Sequence, residues 1–183
     1  MAELESFRLK VGDAAPEFAL PGVDGRQHQL SEFADRPLLA VVFWCNHCPY
    51  VQAWEGRAID LARRYGPKGV GFVMINANDD AEYPADSMAG MIARAREKGY
   101  PFPYLRDDSQ QVARAYGALV TPHPMLFDRN RRLLFQGRID DSHDHPDRVK
   151  HRYLEQALEQ ALAGTPVTPS QLSVLGCTVK WRS

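Results

Sequence analysis

Hydrophobic and polar positions along this chain fall into segments of two periods. Residues 38–43 (LLAVVF) form an unbroken β-favouring apolar run, the pattern of a strand buried on both faces, and residues 70–76 repeat it. Between them Val51, Trp54, Ala58, Leu61, Ala62 and Tyr65 recur at spacings of three and four among charged residues, which predicts an amphipathic helix starting near Cys48 and stopped by Gly66-Pro67. Met88, Met91, Ile92 and Ala95 mark a second helix ended by Gly99, and a short third one follows Ser109, its expected cap, to Gly117. Residues 125–127 and 133–137 flank a polar turn and read as a hairpin. The last helix is expected to run from Val149 through Tyr153, Leu154, Ala157, Leu158 and Ala161 to Leu162, with the Asp- and His-rich residues 140–151 as a polar loop capping it.

Upstream of the first long strand, Asp24-Gly25 predicts a tight turn between two short strands. The order strand, helix, strand, further helices, hairpin and helix describes an α/β fold with a central mixed sheet flanked by helices. The expected organisation is a single domain: 1–37 an N-terminal hairpin extension, 38–163 the core, with an inserted helical segment before the C-terminal hairpin, and 164–183 a tail. A chain of 183 residues can bury roughly 70% of its unfolded surface.

A net charge of -1 gives no basic excess for nucleic acid. The longest apolar run, residues 37–44, is far short of the ~20 residues of a membrane helix. Residues 1–10 lack a basic flank and an apolar core, so a cytoplasmic protein with no membrane partner is expected.

Three cysteines cannot build a disulfide framework, but Cys45 and Cys48 form C-x-x-C between a strand end and a helix start. Thiols at that spacing close a disulfide, and a helix N-terminus favours a thiolate. This predicts thiol-disulfide exchange with Cys45 attacking, Cys48 resolving and His47 tuning the thiolate, and no cofactor beyond the redox-active disulfide. The competing chemistry is metal binding, with His47 and a distant His123 or Cys177 completing a copper or zinc site, although only one cysteine pair is present. A scaffold that binds without turnover is a third reading, against which two intact cysteines argue.

Residues 11–25 (VGDAAPEFALPGVDG), 43–51 (FWCNHCPYV) and 176–181 (GCTVKW) resemble segments of the thioredoxin superfamily, in its redoxin branch of AhpC/TSA-type peroxiredoxins and TlpA/ResA-like oxidoreductases. The resemblance covers nearly the whole chain. It implies a thioredoxin-like fold, protein disulfide or dithiol partners, an electron donor that the sequence does not identify, and a cis-proline at Pro122 facing the disulfide. It also implies that the backbone of Thr121 pairs with bound substrate, with Trp44 beside it. The branch's carboxylate positions hold Leu39 and Val51 here, which leaves proton transfer to another group. Glu55, two helical turns beyond Cys48, either approaches the thiol from the same face or lies solvated on the helix, as most glutamates do. The peroxiredoxin P-x-x-x-T-x-x-C pattern would need proline and threonine where Leu38 and Val42 stand, so a peroxiredoxin-like, antioxidant thiol peroxidase is the alternative rather than the main reading. Cys177 is expected to be buried beside Val179 and Trp181.

Overall fold

The computed structural model describes residues 6–183; residues 1–5, half of the segment inspected for a targeting signal, lie outside it. The chain opens with the expected hairpin, β1 (Ala19–Pro21) paired antiparallel to β2 (Gln27–Gln29). Then comes β3 (Leu38–Phe43), and Pro49 starts α1 (Pro49–Tyr65), where a proline lacks only an amide hydrogen that the first turn leaves unpaired anyway. β4 (Val70–Asn76) returns to the sheet, and α2 (Met88–Lys98) follows, capped by the Ser87 hydroxyl and ended by left-handed Gly99.

Next are β5 (Tyr104–Arg106), α3 (Gln111–Tyr116), β6 (Val120–Thr121), β7 (His123–Phe127), β8 (Leu133–Gln136), α4 (Tyr153–Leu162) and β9 (Cys177–Thr178). Five strands form the central sheet in the order β5-β4-β3-β7-β8. β3 runs parallel to β4, and β4 to β5, while β7 is antiparallel to both β3 and β8. The sheet is mixed, as expected.

The two faces of β3 explain its unbroken apolar run. Leu38, Ala40 and Val42 pack with Val51, Trp54 and Ala58 of α1, Met91 of α2, and Leu154 and Leu158 of α4. Leu39, Val41 and Phe43 face the other way, against Ala113 and Tyr116 of α3 and Leu9, Phe18 and Leu20 of the N-terminal segment. A period of two along the strand therefore supplies two cores rather than one wet face. No helix among the described residues is long and apolar enough to cross a membrane.

The structure corrects several expectations. β5 was not foreseen, because three residues containing an arginine carry no readable period; Arg106 is buried there and pairs with Asp80. Ser109 is not the cap of α3: Gln110 holds that position with φ +63, and Asp107 Oδ2 accepts the Ala113 amide at 2.8 Å. α4 begins at Tyr153, after a 3-10 turn over Pro146–Arg148, so Val149 stands outside it.

The aspartates ahead of α4 do not cap it. Asp140 is buried and turned onto α1, accepting Trp54 Nε1 at 2.8 Å and Arg57 Nη1 at 2.6 Å, and Asp141 accepts the Lys150 amide. The tail is not loose either, since it bridges Gln136 through Gln171 and ends in β9 against β6.

Trp54 and Asp140 tie the helix that carries the cysteines to the loop before α4. Trp54→Phe keeps an aromatic ring but removes the donor to a buried carboxylate and part of the indole volume, so unfolding in urea should show a loss of at least about 1–3 kcal/mol. No change in midpoint would mean that the contact carries no stability.

Candidate active site

The site lies at the carboxyl end of β3. Trp44 N–H still bonds Ile75 of β4 at 2.8 Å, after which the chain leaves the sheet through Cys45, Asn46, His47 and Cys48 before α1 begins. Cys48 is therefore the residue preceding the first turn, its carbonyl accepting the Gln52 amide, and Cys45 lies three residues further back. Both sulfurs are free thiols on residues with 0% exposure.

Thr121 joins them from across the site. Its hydroxyl shares a hydrogen bond with Cys45 Sγ at 3.2 Å, and its carbonyl lies 3.3 Å from Cys48 Sγ. The Thr121-Pro122 peptide is cis, as the resemblance implies, and it joins β6 to β7.

A buried carboxylate that the sequence did not reveal completes the arrangement. Asp86, 0% exposed, accepts the Asn46 amide at 2.6 Å and Asn76 Nδ2 at 3.1 Å on Oδ1. On Oδ2 it accepts Asn78 Nδ2 at 3.0 Å and binds His47 Nδ1. The Pro84–Asp86 turn and the Ser87 cap of α2 fix its position, and Gly90 lets the helix approach: a Cβ there would stand 2.2 Å from the Ala85 carbonyl. Polar atoms of Cys45, His47 and Asp86 lie within 4.8 Å of one another. The His47 ring also stacks on Tyr83, with centroids 4.9 Å apart.

No motif ties Asp86 to the cysteines, because it comes from the connection between β4 and α2. Its signal was topological: that connection leaves the carboxyl end of β4, beside the end of β3.

The two thiols are coupled, and their pKa values are pushed in opposite directions. Because the helix starts at Pro49, its amides face Cys48 rather than Cys45. The Cys48 thiolate accepts hydrogen bonds from the Cys45 and Cys177 thiols, and the backbone amides of Val51 and Cys177 assist, which brings its pKa down to about 5 against the cost of burial. Cys45 is held protonated by that same hydrogen bond to Cys48, by burial and by the charge of Asp86, and only Thr121 opposes this. One charge is shared by two sulfurs, and the titration belongs to the pair.

Other expected site residues stand elsewhere. Trp44 is 0% exposed and donates to Tyr100 Oη at 3.1 Å, so it offers no surface to a substrate. Glu55 is neither solvated nor bonded to a thiol. It is 5% exposed, with Arg94 Nε and Nη2 at 3.0 and 2.8 Å, and it also accepts the Tyr100 hydroxyl.

Thr121 does pair through its backbone, but with Cys177 of the chain's own tail. Cys177 is half-buried rather than buried, and Trp181 is exposed beneath the Arg114 guanidinium. His123 is buried, accepts the Leu119 amide and faces Gln136; burial brings its pKa down to about 4, and it stands apart from the cysteine cluster. The donors that do cluster fit metal poorly, since each oxygen of Asp86 already accepts two hydrogen bonds.

Three comparisons bear on this geometry. The family model described as Redoxin matches residues 10–156. The thiol-disulfide oxidoreductase ResA of Geobacillus thermodenitrificans is 26% identical over 135 residues, 70% of each chain. Among solved structures, a hypothetical protein from Sinorhizobium meliloti 1021 superposes with a TM-score of 0.91 and 37% identity, over 96% of both chains. An uncharacterized conserved protein from Geobacillus kaustophilus gives 0.90 and 41%, over 97% of this chain and 94% of that one.

Thiolate absorbance at 240 nm should rise in the reduced protein with a midpoint near pH 5, the value toward which Cys48 is lowered. Cys48→Ser should remove that step, and Cys45→Ser should move it upward by removing a donor. Folding lowers this pKa from 9.0 to about 5, so the stability it contributes is complete above about pH 9 and is lost as pH falls to about 5. A step at pH 8–9 would refute the assignment.

Proposed function

This chain belongs to the Redoxin family and acts as a thiol-disulfide oxidoreductase, and we propose that the reaction runs on the Cys45–Cys48 pair with Cys48 as the attacking thiolate. The observation that carries this reading is the pair of free thiols at the end of β3, both addressed by Thr121, and the lowering of the Cys48 pKa supports that order of attack. Substrates are protein disulfides, and a reduced thiol donor returns the centre to the dithiol.

In the reducing direction Cys48 Sγ attacks one sulfur of the partner disulfide. That S–S bond breaks, the distal partner sulfur leaves as a thiolate, and a mixed disulfide to Cys48 remains. Cys45 then gives its proton to His47, held by Asp86, and its thiolate attacks Cys48 Sγ. The Cys45–Cys48 bond forms, the second partner sulfur leaves, and two electrons have passed to the partner.

Asp86 is a positioning residue here, orienting the imidazole and filling the part that Leu39 and Val51 cannot. The lowered pKa gives attack and departure their asymmetry, because a low-pKa sulfur is the better leaving group and a protonated neighbour can resolve it only with a base at hand.

Insulin reduction with dithiothreitol tests the activity: Cys45→Ser and Cys48→Ser should each lose it, and a rate equal to wild type would overturn the reading. The order is read by trapping, with Cys177 replaced by serine so that no other thiol can resolve. Cys45→Ser should then hold a mixed disulfide at Cys48, whereas capture only by Cys45 in Cys48→Ser would reverse the roles.

Asp86→Asn should slow resolution by about 10²-fold, the scale of general acid-base assistance. The readout is a mixed disulfide that accumulates and a pH-rate profile that shifts. Slower turnover with an unchanged profile would mean that Asp86 serves structure alone.

A further inference from the structure

We infer that Cys177 is a third redox sulfur of this centre, which exchanges with the Cys45–Cys48 disulfide to give a Cys48–Cys177 disulfide. The inference rests on the dithiol reading above and adds a partner that the chain carries itself.

Strand β9 places Cys177 opposite Thr121 in antiparallel register, with Val120 opposite Thr178. The fit is close, since a Cβ on Gly176 would meet the Thr121 carbonyl at 2.2 Å; only glycine lets the tail lie there. Beyond the strand the tail is held firmly. Val179 N bonds Leu119 O at 3.2 Å, Lys180 N bonds Asn78 Oδ1 at 2.9 Å, and Asp79 N bonds Lys180 O at 2.8 Å. Gln110 donates to Lys180 O and accepts from the Arg182 amide.

A segment fixed this way holds Cys177 opposite Thr121, whose carbonyl lies 3.3 Å from Cys48 Sγ, and the Cys177 thiol and amide both contribute to lowering the Cys48 pKa. The three cysteines thus gather around Thr121. Of the three residues, Cys177 alone has solvent exposure.

The chemistry gives the exchange its timing. In the dithiol, burial, the hydrogen bond to Cys48 and the charge of Cys48 together keep Cys177 protonated, raised to about 12, and Lys180 alone opposes them. Oxidation to Cys45–Cys48 removes the Cys48 thiolate and with it two of those three causes. Burial remains, but Cys177 gives up its proton more readily once its neighbour is an electrophile. Its thiolate attacks Cys48 Sγ, the Cys48–Cys177 bond forms, the Cys45–Cys48 bond breaks, and Cys45 leaves as a thiolate that takes up the proton released by Cys177. No electrons enter or leave, so the step needs no further reagent.

Peptide mapping after acid quenching and alkylation tests this. With Cys45→Ser treated with oxidised glutathione, Cys48 attacks the glutathione disulfide and Cys177 expels the bound glutathione. The expected product is a Cys48–Cys177 crosslink in most molecules, absent when Cys177 is also serine. A stable Cys48–glutathione adduct with Cys177 alkylated would overturn the inference.

Wild-type protein serves should the variant not fold: after stoichiometric oxidation, Cys48–Cys177 peptides should appear beside Cys45–Cys48 peptides. Cys45–Cys48 peptides alone would overturn the relay and leave the dithiol reading intact. Failure of the wild type to form any disulfide would overturn both.

Discussion

A carboxylate removed from water costs several kcal/mol unless the protein replaces its hydration, and Asp86 is in that position. Four donors answer it, and they come from different parts of the chain: Asn46 and His47 from the cysteine loop, Asn76 at the end of β4, and Asn78 just beyond. The cysteine loop, the sheet end and the turn before α2 are thereby locked together. Loosening one partner exposes the charge to the others' loss, which makes the network cooperative. The same charge adds to the hydrogen bond with Cys48 and to burial in raising the Cys45 pKa, so a folding constraint also bears on a redox property.

Thr121 is the second fixed point. Hydroxyl, carbonyl and backbone register address Cys45, Cys48 and Cys177 in turn. A single residue on a two-residue strand therefore spaces all three sulfurs. The strand β7 that continues directly from it is fully buried between β3 and β8, so the spacing is anchored in the central sheet.

The long periodic elements were legible because each has a local cause. Residues 38–43 and 70–76 alternate between two cores, the stripe through Val51, Trp54 and Ala58 faces one of them, and Gly25 and Gly99 take the positive φ their turns require. The failures share a cause as well. β5, β6 and β9 are two or three residues long and are strands only because a neighbour pairs with them. Glu55 has the spacing of a surface residue, and only the approach of Arg94 and Tyr100 from another element buries it.

By itself, then, the sequence determined the class of chemistry and its frame: a C-x-x-C between a strand and a helix, in a mixed sheet, with a proline ahead of β7. These rest on residue type and short-range spacing, which a chain carries wherever it folds. Tertiary structure alone decided how the two thiols are coupled, which carboxylate stands beside them, and what lies against Thr121. The arrival of Asp86 from a distant turn and the return of Cys177 from the tail are juxtapositions across the fold. A pKa reports such juxtapositions, because it measures the field and hydrogen bonds at one atom, whatever part of the chain supplies them.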